Sequence, residues 1–308
     1  MKKERINVFF AVDDNYIDFL AITLSSIIDN ALDENYTYNF RVLHNGLSQK
    51  SNNRLKHFNS KRFKVSYFNV GDRLDALERN FKLRDYYTMT TYYRLLIPDT
   101  FFTIDKALYL DCDIIVRHFL SDMYNMDLTE KACAVVIDQH CDDVLMQNNA
   151  RISSSYFNSG VMLMNLDYWR NNNIANELID FIYNNPERCI YPDQDALNIV
   201  LDSKVEYMNP TYNFQHYWAV SFHLSKTSYL RHKEIIEASE DPVIVHFCSQ
   251  KPWHIKCYNP YKSEFYRYNK LHPFVGNAMK NKIIRTILYK FFNRINLISE
   301  DLTLKFNS

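Results

Sequence analysis

Two carboxylates with one residue between them, Asp111 and Asp113, are the residues whose types and spacing most directly indicate chemistry. They follow residues 107–110, a short apolar run typical of a buried strand. Carboxylates this close repel each other and lose hydration, and a cation between them offsets that cost. Oxygen ligands suit a hard ion such as Mg²⁺ or Mn²⁺, and such an ion can bridge to a diphosphate. The competing interpretation is that the two residues only begin a turn.

The elements before this pair predict a sheet that brings more polar residues to the same edge. The predicted strands cover residues 6–12, 38–44 and 63–68, and the predicted helices between them cover residues 16–30 and 48–59. This alternation is typical of an α/β protein with a parallel sheet, in which ligands bind beyond the carboxyl ends of the strands. Asp13 and Asn15 follow the first strand. No glycine-rich dinucleotide fingerprint follows that strand.

Further candidates lie on the segments around the carboxylate pair. The spacing predicts a helix over residues 88–97 that ends before Pro98. Arg94 on this helix is either a solvated surface residue or a phosphate or carboxylate clamp near the pair. A later strand ends in Asp138, and the irregular segment 139–155 after it is typical of a lid or substrate loop.

A glycine marks the approach to the next predicted strand. Gly160 precedes residues 161–166, and a residue without a side chain permits close approach of the backbone at that point. Asp167 then follows, and we expect it to cap a helix over residues 167–184.

The second half of the chain contains an acidic helix start and an isolated histidine. Asp193 and Asp195 flank Gln194 before a predicted helix. Acids at a helix start usually cap it, but two of them around a glutamine are more than one cap requires. His246 on a late predicted strand can be structural or a ligand, and Lys251 after it is a natural phosphate contact.

Composition narrows the class of protein. The chain has 308 residues, enough for one large α/β domain with an appendage or for two domains. Lys and Arg number 36, as do Asp and Glu, and this zero net charge argues against a nucleic-acid binder. The six cysteines show no metal-ligand or disulfide spacing, and the first apolar run is too short for a signal peptide. We therefore expect a cytoplasmic protein.

The end of the chain has a basic amphipathic pattern. Residues 279–295 carry an apolar stripe at helical spacing with lysines and arginines on the other side. Such a helix either packs on the domain or binds an anionic membrane surface. We favour peripheral association with the inner face of the cytoplasmic membrane.

Six ordered segments carry a resemblance to a known family. The segments are FFAVDDNY (9–16), TTYYRLLIPD (90–99), ALYLDCDIIV (107–116), YFNSGVMLMNLDYWR (156–170), YPDQDALN (191–198) and HFCSQKPWH (246–254). In order and spacing they resemble glycosyltransferase family 8, in particular its bacterial lipopolysaccharide galactosyltransferases and glucosyltransferases. The resemblance covers residues 6–260.

This resemblance implies a fold, an activity and a cofactor. The fold is a GT-A type, Rossmann-like single domain over residues 1–262, with a mostly parallel sheet flanked by helices, and residues 263–308 form a helical tail. The activity is transfer of galactose or glucose from a UDP-sugar to a glycan or lipid-linked glycan acceptor, with retention and an α linkage. The implied cofactor is Mn²⁺, with Mg²⁺ as the alternative.

The resemblance also assigns residues. The implied uridine contacts are Ala11, Asp13 and Asn15, and the implied metal ligands are Asp111, Asp113 and His246. The resemblance also implies that Lys251 contacts the diphosphate. The residues implied to surround the donor sugar are Arg94, Asp138, Asn158, Asp193 and Gln194. Retention can use a carboxylate nucleophile. Gln194 is an uncharged, poor nucleophile, which favours same-face displacement with Gln194 or Asp193 stabilising the cationic sugar.

Other interpretations of the same residues stay open at this stage. The segment around Asp111 and Asp113 also resembles the first motif of haloacid-dehalogenase phosphatases, in which the first Asp is the nucleophile. A non-catalytic scaffold would have no reason to keep two repelling carboxylates. The acceptor can be a lipopolysaccharide core or a glycan on a surface protein.

Overall fold

A seven-stranded sheet forms the centre of the molecule. The computed structural model describes residues 3–73, 89–139, 150–215, 229–248, 251–254 and 257–271. The strands are β1 (Glu4–Ala11), β2 (Tyr36–His44), β3 (Phe63–Asn69), β4 (Lys106–Leu110), β5 (Ile114–Val116), β6 (Cys133–Ile137), β7 (Phe157–Asn165), β8 (Val205–Tyr207) and β9 (Ile244–His246). The order in the large sheet is β3-β2-β1-β4-β7-β6-β8, and β5 pairs with β9 in a small separate sheet.

The large sheet is mostly parallel, as predicted. β1 runs parallel to both β2 and β4, β2 to β3, and β6 to β8, whereas β7 is antiparallel to its neighbours β4 and β6. Apolar side chains alternate between its two faces: Val8 and Phe10 belong to one core cluster and Phe9 to the other. The central strands β4, β6 and β7 are therefore buried on both sides, which explains their apolar runs.

Helices cover both faces of this sheet. The α-helices are α1 (Ile17–Asn30), α2 (Gln49–Arg54), α3 (Ile97–Thr100), α4 (Ser121–Tyr124), α5 (Leu166–Asn171), α6 (Ile174–Asn184), α7 (Pro192–Val200), α8 (Tyr229–Glu240) and α9 (Lys262–Leu271). Short 3₁₀ helices cover Lys56–Phe58, Met89–Leu96, Pro186–Arg188 and Pro210–Asn213.

Helix α1 holds the small sheet in place. Thr23 Oγ1 donates hydrogen bonds to the carbonyl oxygens of Cys112 and Ile114, each at 3.0 Å. Ser26 Oγ accepts one from the Val116 amide at 2.9 Å. These bonds replace ladder partners for the chain as it leaves β4 and enters β5, so a buried helix fixes the backbone around the two carboxylates.

Two predictions of helix boundaries are wrong. Residues 89–96 form a 3₁₀ helix, and Pro98 lies in the first turn of α3 rather than after a helix, at a position where its missing N–H is not needed. The predicted helix over 167–184 is two helices, α5 and α6, separated where Asn173 adopts a positive φ of 54°. The cap of α5 is Asn165, which accepts the Tyr168 amide at 3.0 Å, and not Asp167.

The predicted helical tail is described only in its first turns. Phe265 and Tyr268 of α9 are buried in the core cluster that contains α1, and the Tyr268 hydroxyl accepts a hydrogen bond from Asn30 Nδ2 at 2.8 Å. The basic stripe over residues 279–295 lies outside the described residues, as does most of the predicted loop 139–155. Among the helices described, none has the length and apolar character needed to cross a bilayer.

Candidate active site

The carboxyl ends of β1 and β4 meet at one edge of the sheet. These strands are parallel neighbours, and the Cys112 thiol donates to the Ala11 carbonyl oxygen at 3.4 Å just beyond them. Strand β7 begins at the same edge, where the Asp111 amide donates to the Gly160 carbonyl at 2.8 Å. The small sheet adds β9, on which His246 lies opposite Ile114. Residues distant in sequence are thereby brought to one place.

Three potential metal ligands converge there, and we call Asp111, Asp113 and His246 the metal cluster. One ligand atom from each lies within 4.8 Å of the others. His246 Nε2 is 3.3 Å from Asp113 Oδ1 and 3.8 Å from Asp111 Oδ2. Asp113 and His246 are buried. Two carboxylates and an imidazole at this separation fit one divalent ion.

Gly160 makes this convergence possible. A Cβ at position 160 would lie 2.3 Å from His246 Cε1 and 2.6 Å from Asp111 Oδ2. No side chain can occupy that space without moving a member of the metal cluster. The predicted close approach is therefore an approach between the β7 backbone and two candidate ligands.

Lys251 lies against the metal cluster. Its ammonium contacts Asp113 and donates a hydrogen bond to the Cys248 carbonyl at 2.8 Å. Burial by itself would raise the pKa of Asp113, but the charge of Lys251, together with that of His246 when its ring is protonated, outweighs burial and lowers this pKa well below its usual value. Trp253 stacks on Phe19 at a centroid distance of 3.7 Å, which ties the lysine's segment to α1.

Arg94 is a buried clamp and not a solvated surface residue. Its guanidinium is 3.2 Å from Asp111 Oδ1 and 3.1 Å from Asp193 Oδ2, and it also bonds the Ser159 carbonyl. It stacks over the Tyr109 ring at 4.2 Å, while the Tyr109 hydroxyl donates to Asp111 at 3.0 Å. The arginine thus joins two carboxylates from different parts of the chain.

The two acids at the start of α7 have different surroundings. Asp193, 5% exposed, faces Arg94, and burial together with the charge of Asp111 raises its pKa to about 6 despite the arginine. Asp195 accepts the Tyr191 amide at 2.8 Å and the hydroxyl of Tyr156. Asp195 is therefore a capping residue, while Asp193 belongs to the site.

The amides and the carboxylate next to the metal cluster are joined by hydrogen bonds, and we call Asp138, Asn158 and Gln194 the amide cluster. Asp138 Oδ2 accepts from Asn158 Nδ2 at 3.1 Å and from Gln194 Nε2 at 3.0 Å. Gln194 Oε1 accepts from the Ser159 amide at 3.0 Å and from Asn158 Nδ2 at 3.3 Å. These contacts fix which end of the Gln194 amide carries the oxygen.

Of the three residues implied to hold uridine, Ala11 ends β1, and Asp13 and Asn15 lie on the loop after it. Asp13 Oδ1 accepts the amides of Asn15 and Tyr16 at 2.9 and 3.0 Å, which fixes the turn into α1. Asn15 is exposed, and Ala11 is half-buried beside Cys112. The structure thus places all three at the edge that carries the metal cluster.

Several residues of the site were missed by the sequence analysis. Tyr109 and Ser159 contact the carboxylates, and Asn213 bonds His246. Tyr109 lies two residues before Asp111 on a strand and so shares its face, which is a usable signal. No sequence pattern indicates Asn213, because it ends a turn that begins with Pro210 and lies far from any motif.

A cavity adjoins the amide cluster. Its volume is about 360 Å³, and its walls include Asp138, Gln139, Met208, Asn209 and Glu234. This volume is within the range of small-molecule sites, and the walls mix apolar groups with carboxylates and amides.

Comparisons with known proteins agree with this geometry. The family model described as glycosyl transferase family 8 matches residues 7–257. General stress protein A of Bacillus subtilis is 30% identical over 278 residues, covering 87% of this chain and 94% of that protein. A lipopolysaccharide 1,2-glucosyltransferase of Escherichia coli is 28% identical over 265 residues, covering 82% and 74%.

A solved structure supports the same assignment. The galactosyltransferase LgtC in complex with donor and acceptor sugar analogues has a TM-score of 0.74 to this chain, with 25% identity, and the match covers 87% of this chain and 96% of that one. The predicted GT-A fold is thereby confirmed, and the phosphatase alternative has no support. With a matching family model over most of its length and the predicted site residues assembled at one sheet edge, the chain belongs to glycosyl transferase family 8.

Proposed function

We propose that this protein is a retaining hexosyltransferase that moves galactose or glucose from a UDP-sugar to a glycan acceptor with an α linkage. The observation that carries the proposal is the metal cluster beside Lys251 at the carboxyl ends of the strands. A divalent ion held by Asp111, Asp113 and His246 would stabilise the negative charge that develops on the leaving diphosphate.

The donor set of the cluster favours Mn²⁺ over Mg²⁺. Carboxylates suit both ions, whereas an imidazole is a ligand of transition metals. His246 is 3% exposed, and its Nδ1 is bonded to an amide oxygen, so Nε2 is the nitrogen that faces the carboxylates. Mn²⁺ accepts both kinds of ligand.

Charge balance at the site supports a diphosphate substrate. Asp111, Asp113, Asp193 and the neighbouring Asp138 face the two cations Arg94 and Lys251, which leaves two excess negative charges when His246 is neutral. A bound divalent ion would neutralise this excess. The site with its ion would therefore no longer repel the anionic donor, and Lys251 is placed for the phosphates.

The surroundings of Asp193 and Gln194 favour same-face displacement. Asp193 is buried and paired with Arg94 Nε, so its carboxylate is not poised as a free nucleophile. Gln194 is uncharged, and its oxygen accepts the Ser159 amide. We propose that both residues stabilise the cationic sugar, while the departing phosphate takes the acceptor proton.

The remaining predicted residues take supporting roles in this proposal. Ala11, Asp13 and Asn15 would bind the uridine, and Asp138 and Asn158 the donor sugar. The cavity beside Asp138 would receive the acceptor. By analogy with the lipopolysaccharide glycosyltransferases among its relatives, we propose that the acceptor is a lipopolysaccharide core, and the alternative is a glycan on a surface protein. We also propose that the protein acts at the inner face of the cytoplasmic membrane, which it would contact through residues 263–308.

The test is donor turnover. The protein is incubated with UDP-galactose, UDP-glucose, UDP-N-acetylglucosamine or UDP-N-acetylgalactosamine, with Mn²⁺ or with EDTA, and UDP release is followed. We expect metal-dependent release from UDP-galactose or UDP-glucose, and a loss of at least about 100-fold in Asp113→Asn. Proton NMR of a transfer product then reads the anomeric configuration.

A matched control separates chemistry from folding. Asp202 accepts four hydrogen bonds from Ser153 and Ser154, outside the site, and Asp202→Asn should keep wild-type turnover. UDP release that persists in EDTA, or a β-linked product, would contradict the proposal. Phosphate release from a phosphomonoester without any UDP release would favour the phosphatase instead.

A further inference from the structure

Asn213 is a fully buried asparagine whose position is set by the strand that carries His246. It ends the 3₁₀ turn Pro210–Asn213, and its side chain is 0% exposed. The next residue, Phe214, pairs with β9: its amide donates to Ile244 O, and the His246 amide donates to its carbonyl, both at 2.9 Å. This pairing places the Asn213 side chain beside the imidazole.

The orientation of its amide follows from one backbone group. The Gly160 N–H is a donor only, and it lies 3.1 Å from Asn158 Oδ1, which is therefore an oxygen. The Asn213 atom that faces this oxygen at 3.0 Å must then be the nitrogen. The opposite end of the Asn213 amide is its oxygen, and it lies 3.0 Å from His246 Nδ1.

The imidazole tautomer follows in turn. Because an amide oxygen only accepts, His246 Nδ1 must carry the proton, and in the neutral ring Nε2 carries the lone pair. Nε2 is the atom that faces Asp111 and Asp113. A lone pair directed between two carboxylates is the arrangement of a metal ligand.

The same asparagine is the start of a bonded path to the amide cluster. Asn213 Nδ2 donates to Asn158 Oδ1, which also accepts the Gly160 N–H, and Asn158 Nδ2 donates to both Asp138 and Gln194. Each amide has a donor end and an acceptor end, so an acceptor in place of Asn213 Nδ2 would face Asn158 Oδ1 without a hydrogen bond.

We propose that Asn213 is a positioning residue that couples the metal-ligating face of His246 to the orientation of the amide cluster. The inference rests on the proposed function only in its second half. Holding the imidazole concerns metal binding, whereas holding Asn158 concerns turnover of the sugar donor. Two substitutions separate these effects.

Asn213→Leu keeps the branching and the number of side-chain heavy atoms and removes both bonds. We expect the dissociation constant for Mn²⁺, measured by titration with electron paramagnetic resonance, to rise about 10- to 100-fold. Asn213→Asp keeps an acceptor for His246 Nδ1 but sets an oxygen against Asn158 Oδ1. We expect it to keep its Mn²⁺ affinity within about threefold and to lose at least about tenfold in kcat at saturating Mn²⁺.

A control variant and a spectrum exclude a merely structural role. Asn165 lies at the other end of β7 and also makes two amide hydrogen bonds, to the Tyr168 amide and the Leu128 carbonyl. Asn165→Leu should lower stability and leave Mn²⁺ affinity unchanged. In ¹⁵N-histidine-labelled protein with Mg²⁺ at pH 8, two-bond ¹H–¹⁵N spectra should show His246, assigned with His246→Gln, protonated at Nδ1.

Three results would overturn the inference: His246 protonated at Nε2, wild-type Mn²⁺ affinity in folded Asn213→Leu, or the same loss of affinity in Asn165→Leu. Wild-type kcat in Asn213→Asp would remove the link to the amide cluster. If Asn213→Leu does not fold, the NMR spectrum of His246 and the kinetics of Asn213→Asp still test the inference. A wild-type protein that binds Mn²⁺ but releases no UDP would refute the proposed function, and the metal-binding measurements would stand.

Discussion

The two halves of the site are built from different chemistry. In the first half, the carboxylates of the metal cluster form ion pairs with Lys251 and Arg94, and the His246 ring lies against the same carboxylates. The amide cluster has one carboxylate and two neutral amides, and hydrogen bonds join each of the three to the other two. The halves share β7, in which Asn158 belongs to the amide cluster and Gly160, two residues further on, lies against the metal cluster.

This difference predicts which property, metal binding or turnover, is lost when a residue in each half is changed. Charged groups that converge in a buried place gain from a cation and are sensitive to distance, because the energy between charges depends on separation and surroundings. Neutral amides gain little from a cation but carry direction, since each has a donor end and an acceptor end. Displacement of a candidate ligand in the metal cluster should therefore weaken metal binding. Loss of charge or of hydrogen-bond direction in the amide cluster should lower turnover.

The largest expected effect tests displacement. Gly160→Ala would put a Cβ 2.3 Å from His246 Cε1 and 2.6 Å from Asp111 Oδ2, so at least one candidate ligand must move. We expect Mn²⁺ affinity to fall by about 100-fold or more. The measurement is the same paramagnetic titration, made on protein shown by circular dichroism to be folded.

A second glycine provides the control. Gly46 has a positive φ of 79° and no atom within 4 Å of an added Cβ. Gly46→Ala should cost about 1 kcal/mol of stability from backbone strain and leave Mn²⁺ affinity unchanged. Equal Mn²⁺ affinities in wild type and Gly160→Ala would show that displacing a candidate ligand does not weaken metal binding, which contradicts the distinction between the two halves.

The next effect concerns Asp193, the acid that Arg94 joins to the metal cluster. Its pKa is about 6 in the folded protein against 3.8 for the ordinary side chain, so folding takes up a proton between these values. A raised carboxyl pKa contributes stability that is complete below about pH 4 and is lost as pH rises through about 6. The loss should be about 2 to 3 kcal/mol.

Urea unfolding between pH 4 and pH 7 measures this loss. The difference in free energy of unfolding between wild type and Asp193→Asn should fall across that window and level off above it. Asp195→Asn is the comparison, because that acid caps α7 and bonds Tyr156. Parallel profiles for wild type and Asp193→Asn would show that burial does not raise this pKa.

Much of the charged half was predictable from sequence, and the amide half was not. Asp111 and Asp113 end a short apolar strand, and the alternation of strands and helices predicted that β1 and β4 end at one edge. Those signals are local. The contact between Asn213 and His246 arises instead from pairing of residue 214 with β9, which no periodicity records. Site membership of Asn158 and Gln194 came from family resemblance alone.

The errors in helix boundaries have a similar origin. Proline usually marks a helix end, but Pro98 lies in the first turn of α3, where a backbone N–H would have no partner within the helix. The break at Asn173 depends on a positive φ, which asparagine tolerates. The neighbouring residues do not predict it. Local propensity leaves such points undecided, and tertiary packing settles them.

The smallest expected effect tests charge without displacement. Asp138 Oδ2 accepts both amide donors, so in Asp138→Asn the oxygen can keep both hydrogen bonds while the negative charge is lost. If this carboxylate stabilises the cationic sugar, kcat should fall about tenfold while Mn²⁺ affinity and the melting temperature stay at their wild-type values. Asp113→Asn changes both metal affinity and turnover, which makes it the opposite case. A loss of metal affinity in Asp138→Asn would mean that the two halves form a single electrostatic unit, and the separation drawn from their contacts would fail.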